Sequence, residues 1–142
     1  MSKFYVTTSI PYVNAAPHIG FALEAIQADV LARYHKQKGK DVFFLTGADE
    51  HGVKIVRAAE AAGKTPREFV DEISEKFIAL KMTLNLSWDD FIRTSDQKRH
   101  WPGAQKLWLK LAEAGKIYKK KYRGLYCVGH EAFMKKSDLV DG

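Results

Sequence analysis

At 142 residues, 46% hydrophobic and 12% aromatic, the chain is long enough for one domain with a real core, or one domain plus part of another. No apolar run of about 18 residues occurs, so no transmembrane helix or membrane partner is expected, and Met1-Ser2-Lys3 leads into a strand without an apolar signal segment. The single cysteine excludes an intrachain disulfide and fits a reducing, cytoplasmic setting, while a net charge of +6 suits a polyanionic partner and equally serves solubility.

Residues 4–8 and 42–46 are short, dense in β-forming side chains and bounded by polar or turn residues, which predicts two strands. Between them Ile19, Ala22, Leu23, Ile26, Val30, Leu31 and Tyr34 form a helical stripe that closes at Gly39 as a C-cap. A second helix is expected over about 52–62, stopping at Gly63. The third opens on Thr65-Pro66-Arg67-Glu68, a capping box with proline at the first helical position. Its stripe is Phe69, Val70, Ile73, Phe77, Leu80 and Leu84. Phe91-Ile92-Arg93-Thr94 reads as a third strand and residues 97–114 as a fourth helix. Strand–helix–strand order predicts an α/β fold with a right-handed parallel sheet and flanking helices. The stripes of the third and fourth helices, with Trp88, Trp101 and Trp108, are expected in the core.

The texture changes near Gly115. Residues 118–128 read as β structure with a turn near Gly124, and Lys119, Lys120 and Lys121 as its solvated edge. There are no repeats, linkers or low-complexity tracts, and the chain stops at Gly142 in a polar segment, as part of something longer would.

Three segments carry chemistry. In Ser9-Ile10-Pro11-Tyr12-Val13-Asn14-Ala15-Ala16-Pro17-His18-Ile19-Gly20-Phe21, proline, histidine and glycine stand where a strand hands over to a helix. Free backbone N–H groups and the positive end of the helix dipole meet there and suit an anion. Gly20 leaves room for a flat ring against its backbone. His18 either reaches a phosphate oxygen or caps its own helix. The second segment, Thr46-Gly47-Ala48-Asp49-Glu50-His51-Gly52, directly follows the second strand. Asp49 there either holds a substrate ammonium or N-caps the next helix, and Tyr12 either lines the crevice or joins the core. The third is Arg93-Thr94-Ser95. In a parallel sheet all three lie outside carboxyl ends of strands and face one crevice. A lone His-x-Gly is weak, being shared with cytidylyltransferase-type enzymes; both motifs, one helix and one strand apart, are far more specific.

Pro17-His18-Ile19-Gly20 resembles the His-Ile-Gly-His signature of class I aminoacyl-tRNA synthetases. With Tyr5-Val6-Thr7-Thr8, Pro11-Tyr12-Val13-Asn14, Gln27-Ala28-Asp29, Thr46-Gly47, Asp49-Glu50-His51-Gly52 and Tyr126-Cys127-Val128-Gly129, the whole chain resembles their methionyl branch. The resemblance implies a Rossmann-type catalytic domain, with its N-terminal half in residues 1–115 and the start of an inserted β-rich connective domain in 116–142. It implies ATP-dependent activation of methionine to methionyl-adenylate and transfer to tRNA, with Mg²⁺ accompanying the ATP. Ser9, Ile10 and Tyr12 would line the methionine pocket and Asp49 would bind the amino group. Pro11, Asn14, His18 and Gly20 would hold ATP, and His18, Gly20 and Phe21 occupy the catalytic signature. Phe21 stands where the family has its second histidine, and a phenyl ring donates nothing to a phosphate. Cys127 and His130 form a Cys-x-x-His half site for Zn²⁺ where relatives carry Cys-x-x-Cys; two more ligands would have to come from beyond Gly142. The lysine-rich Lys-Met-Ser-Lys-Ser loop and an anticodon-binding bundle are absent, and Lys81-Met82-Thr83, on a predicted helix, is no substitute. The 142 residues alone are therefore expected to be inactive. The alternatives are a class I synthetase for leucine, isoleucine, valine or cysteine, or a non-catalytic ATP- or amino-acid-binding module.

Overall fold

A computed structural model describes residues 2–135 and Ser137. The chain forms two compact units, Met1–Lys106 and Leu107–Gly142.

The first unit is built on a parallel sheet of order β1-β2-β3, comprising β1 (Lys3–Thr7), β2 (Asp41–Ala48) and β3 (Asp90–Arg93). The register sets Tyr5 beside Phe43 and Leu45 beside Asp90. Helix α1 (Ile19–Gln37) connects β1 to β2, and α2 (Val53–Ala61) with α3 (Pro66–Thr83) connects β2 to β3. The local signals act as their chemistry dictates. Gly39 and Gly63 adopt φ of +73° and +66° at the ends of α1 and α2, a region that costs glycine nothing. Thr65 and Glu68 form the capping box: the Glu68 N–H donates to Thr65 Oγ1, and the Thr65 N–H donates back to Glu68 Oε2 at 2.9 Å. Lys81-Met82-Thr83 is the last turn of α3.

Central β2 buries Phe44, Thr46, Gly47 and Ala48. The core joins Phe44, Val13, Phe21, Ile55, Phe69, Val70, Ile73, Phe77, Leu86 and Trp88. Leu80 and Leu84 pack against it, half-buried. Helix α1 departs from the sequence stripe. It buries Phe21, Ala25, Ala28, Asp29 and Ala32, while Ile19, Leu23, Ile26, Val30, Leu31 and Tyr34 stay exposed. Three alanines allow the close approach, and the larger apolar residues occupy the opposite face.

Helix α4 (Trp101–Glu113) starts later than periodicity predicts. Residues 97–100 are a turn capped by Asp96, whose Oδ1 accepts from the Lys98 and Arg99 N–H groups at 2.9 and 3.0 Å. Trp101 is half-buried, its indole N–H on the Thr94 carbonyl at 3.1 Å. The expectation of a core stripe on this helix is corrected: none of its residues is buried, and Leu107, Trp108, Leu109 and Leu111 are exposed.

In the second unit, β4 (Leu125–Cys127) and β5 (Ala132–Met134) form an antiparallel hairpin. Its turn is residues 128–131, with Glu131 at φ +50°, not Gly124. Residues 116–124 form no strand, so Lys119, Lys120 and Lys121 edge no sheet. Gly124 serves packing instead: a Cβ there would lie 3.1 Å from the Tyr122 ring and 3.3 Å from Phe133. Those two rings meet edge-on, 4.6 Å between centroids. Among the described residues no helix is long and apolar enough to cross a membrane.

Candidate active site

The three predicted segments lie together at the carboxyl ends of β1, β2 and β3, but do not share one crevice: the first lines one cavity, and Arg93 and Ser95 line another. Past the sheet proper, Tyr12 and Asp49 form one further parallel bridge. The Asp49 N–H donates to the Pro11 carbonyl at 2.8 Å, and the Val13 N–H donates to the Asp49 carbonyl at 3.2 Å. This extends the β1–β2 pairing around the gap left by residues 8–10 and fixes Tyr12 beside Asp49. Thr8 and Thr46 close the gap with a 2.6 Å hydroxyl–hydroxyl bond. From the other side, Glu24 of α1 takes the Ser9 N–H at 2.6 Å and the Ser9 hydroxyl at 2.7 Å. Ile10 is exposed and leans on Gly47, where a Cβ would sit 3.1 Å from Ile10 Cγ2 and would overlap Ile92. Only glycine fits that point of β2.

His18 resolves one of the open alternatives: it is the N-cap of α1, and its Nδ1 accepts the Gly20 N–H at 3.0 Å. The capping bond also fixes the tautomer. With Nδ1 accepting, a neutral ring carries its proton on Nε2, an exposed donor beyond the helix N-terminus. The two roles considered for His18 are therefore compatible. The space left by the missing Cβ of Gly20 holds His18's own ring: a Cβ there would lie 2.7 Å from His18 Cε1.

Ser9, Pro11, Tyr12, Asn14, His18, Gly20 and Phe21 all line one cavity of about 310 Å³, together with Ala15, Ala16, Glu24 and Phe77. Phe21 contributes its wall. It is only 5% exposed and packs edge-on against Phe77, centroids 5.1 Å apart. Sequence reasoning missed Glu24 and Phe77. Both sit on helical faces, and nothing in their spacing separates them from ordinary helix residues.

Asp49 does not N-cap α2. That cap is Gly52, at φ +140°, and it makes no side-chain bond. Asp49 is half-buried, and Oδ1 faces the Thr94 hydroxyl at 3.4 Å. Its neighbour Glu50 is buried, and its carboxylate takes Ser74 Oγ at 2.5 Å, Arg93 Nε at 2.5 Å and the Ser95 hydroxyl. Arg93 also donates from Nη2 to Asp71 at 2.5 Å. Burial opposes the Arg93 charge, but hydrogen bonds to Glu50 and Asp71 outweigh it and raise its pKa. Burial likewise works against the Asp71 charge, and Arg93 and Arg67 together still hold its pKa below the usual carboxylate value. Tyr12 is half-buried against the core with its hydroxyl over Gly52, so it both packs and lines the cavity.

In the second unit Cys127 Sγ and His130 Nδ1 stand 3.2 Å apart. The His130 backbone N–H, then its ring, hold the thiol below its usual pKa. Thiolate and imidazole are both zinc donors, but among the described residues no third His, Cys, Asp or Glu joins them. Those residues supply half a tetrahedral set and do not by themselves make a zinc site.

A parallel sheet with a histidine-capped helix after β1 and Asp49 just past β2 is an arrangement of the class I synthetase kind. The sequence pattern of the family described as tRNA synthetases class I (M) matches residues 4–142, and the chain belongs to that family. Among curated relatives, the methionine–tRNA ligase of Thermotoga maritima is 49% identical over 97% of this chain and 22% of its own length. That of Streptomyces coelicolor is 47% identical over 98% of this chain and 26% of its own. The structure of Mycobacterium tuberculosis methionyl-tRNA synthetase in complex with methionyl-adenylate superposes with a TM-score of 0.92 at 44% identity, over 100% of this chain and 28% of that one. The chain thus spans about a quarter of the length of these relatives.

Proposed function

We propose that this chain supplies the amino-acid and nucleotide side of a methionine–tRNA ligase active site. The observation that carries the reading is that Tyr12, bridged to Asp49, lines one cavity with His18, the cap of α1. The methionine carboxylate attacks the α-phosphorus of ATP in line, the bond to the bridging oxygen breaks, and pyrophosphate leaves. The methionyl group then passes from the adenylate to tRNA, releasing AMP. No side chain need act as nucleophile; the work is positioning and stabilisation of developing charge.

In this reading Asp49 receives the ammonium, and Ser9, Ile10 and Tyr12 line the methionine side. Asn14, Pro11 and Gly20 border the ATP. The His18 Nε2–H and the N-terminus of α1 meet the phosphates. Mg²⁺ arrives with the triphosphate as part of the substrate. The Rossmann half at 1–115, the connective segment at 116–142 and a cytoplasmic setting belong to the same reading. With about a quarter of its relatives' length on hand, the 142-residue stretch alone should charge no tRNA.

Methionine-dependent exchange of labelled pyrophosphate into ATP by the full-length protein tests the first step. Exchange with methionine, but not with leucine, isoleucine, valine or cysteine, is the expected result. Binding of methionine and ATP without exchange would leave only a binding module.

A further inference from the structure

We propose that Thr94 is a positioning residue that orients the Asp49 carboxylate for the substrate ammonium; this rests on the reading of Asp49 as the ammonium partner. Thr94 ends the β3 segment, one residue past Arg93, and is buried. Its polar atoms are turned toward the end of β2, the loop that carries Asp49 and α4. Its N–H donates to the Ala48 carbonyl at 3.1 Å, extending the β2–β3 pairing by one step. Its carbonyl accepts from His51 Nε2 at 3.3 Å and Trp101 Nε1 at 3.1 Å. Its hydroxyl oxygen accepts the Glu50 N–H at 2.8 Å. The hydroxyl proton must then point elsewhere, and the acceptor it faces is Asp49 Oδ1 at 3.4 Å.

The chain of donors runs one way, from the Glu50 N–H to the Thr94 hydroxyl to the Asp49 carboxylate. Glu50 cannot drift, because its buried side chain is held by Ser74, Arg93 and Ser95. The other donor on Asp49 Oδ1, the His51 N–H, is at 3.5 Å, so Thr94 is its shorter contact. A bond to Oδ1 restricts rotation of the carboxylate and, in this proposal, leaves Oδ2 for the substrate cation. Long bonds of this sort shorten when substrate fills the site.

The test is steady-state pyrophosphate exchange by the full-length protein carrying Thr94→Val, Thr94→Ser, Asp49→Asn and the Asp49→Asn/Thr94→Val pair. Thr94→Val keeps the shape and removes the hydroxyl. It should raise the methionine KM about tenfold, the scale of one hydrogen bond to a charged group, with the ATP KM unchanged. Thr94→Ser should restore the methionine KM. In the Asp49→Asn background, Thr94→Val should add little, because the two residues act as one unit. Should Thr94→Val fail to fold for want of a partner on the Glu50 N–H, Thr94→Ala, which admits a water there, gives the same KM readout. An equal rise in the methionine and ATP constants, or additive effects in the pair, would overturn the proposal and leave Thr94 a strand terminus. If Asp49→Asn itself leaves the methionine KM unchanged, the ammonium reading falls first. If Asp49→Asn raises it and Thr94→Val does not, only the role of Thr94 is lost.

Discussion

The Tyr12 hydroxyl occupies the space that a side chain on Gly52 would need: a Cβ built there overlaps Oη. Gly52 also sits at φ +140°, which L side chains rarely adopt. Two independent reasons therefore require glycine, one of them the placement of a residue that lines the cavity. Gly52→Ala should cost roughly 1–3 kcal/mol in backbone strain, read as a lower urea midpoint. It should also push Tyr12 off its site and weaken methionine binding by more than ATP binding. Unchanged methionine affinity in a folded variant would show that Tyr12 has no part in the amino-acid pocket.

Because the His18 cap leaves Nε2 as an outward donor, capping and catalysis can be separated by substitution. His18→Ala removes both. It should lower stability by about 0.5–2 kcal/mol and slow pyrophosphate exchange about 10²–10³-fold, with much less effect on methionine binding. His18→Asn keeps a capping oxygen, so stability should return while the rate stays low. Recovery of the rate with asparagine would mean the cap, not the imidazole, is what the reaction needs.

The sequence carried the strands, the caps and the convergence of three segments at one end of the sheet, because each depends on local chemistry. Thr65-Pro66-Arg67-Glu68 is a capping box wherever it stands. The buried face of α1 was not legible in the same way. Its larger apolar residues, Ile19, Leu23, Ile26, Val30 and Tyr34, gave the stronger periodic signal, yet three alanines and Phe21 face the core. Periodicity reports that a face is apolar; which face meets this sheet depends on how closely the backbones approach. The role of Asp49 was open for a related reason: a carboxylate just before a helix reads as a cap until Gly52 is seen to hold that place, with Thr94, 45 residues on, beside the carboxylate.

Asp29 ties α1 to the loop before β3. Its Oδ1 accepts from the Ser87 N–H at 2.5 Å and hydroxyl at 2.6 Å, and its Oδ2 accepts from Arg33 Nε at 2.5 Å. Burial pushes its pKa up, but the bonds from Ser87 and Arg33 win and hold it below the usual 3.8. A depressed folded-state pKa contributes stability above the unfolded value, and that contribution is lost as pH falls through the folded one. Asp29→Asn should therefore cost roughly 2 kcal/mol near neutral pH, the scale of hydrogen bonds to a charged acceptor. The gap between wild type and variant should hold steady down to about pH 4 and shrink below it. A gap that widens on acidification would contradict the assignment.

Phe21 departs from the family signature, and its surroundings determine what restoring histidine would do. The ring is a core element, edge-on to Phe77 and joined with Ala25 and Ala28 in the buried cluster. Phe21→His would lose the aromatic pair and bury imidazole nitrogens whose partners are not in place. The expected cost is about 1–3 kcal/mol, read from denaturant midpoints. The adenylation rate should meanwhile stay within about tenfold, or about 1.4 kcal/mol of barrier, because in the proposed function the phosphates meet His18 Nε2 and the N-terminus of α1. Those donors do not depend on residue 21, whose side chain points into the cavity wall. A stable variant with a much larger acceleration would show that position 21 does reach the reacting phosphates and that the site is impaired with phenylalanine in place.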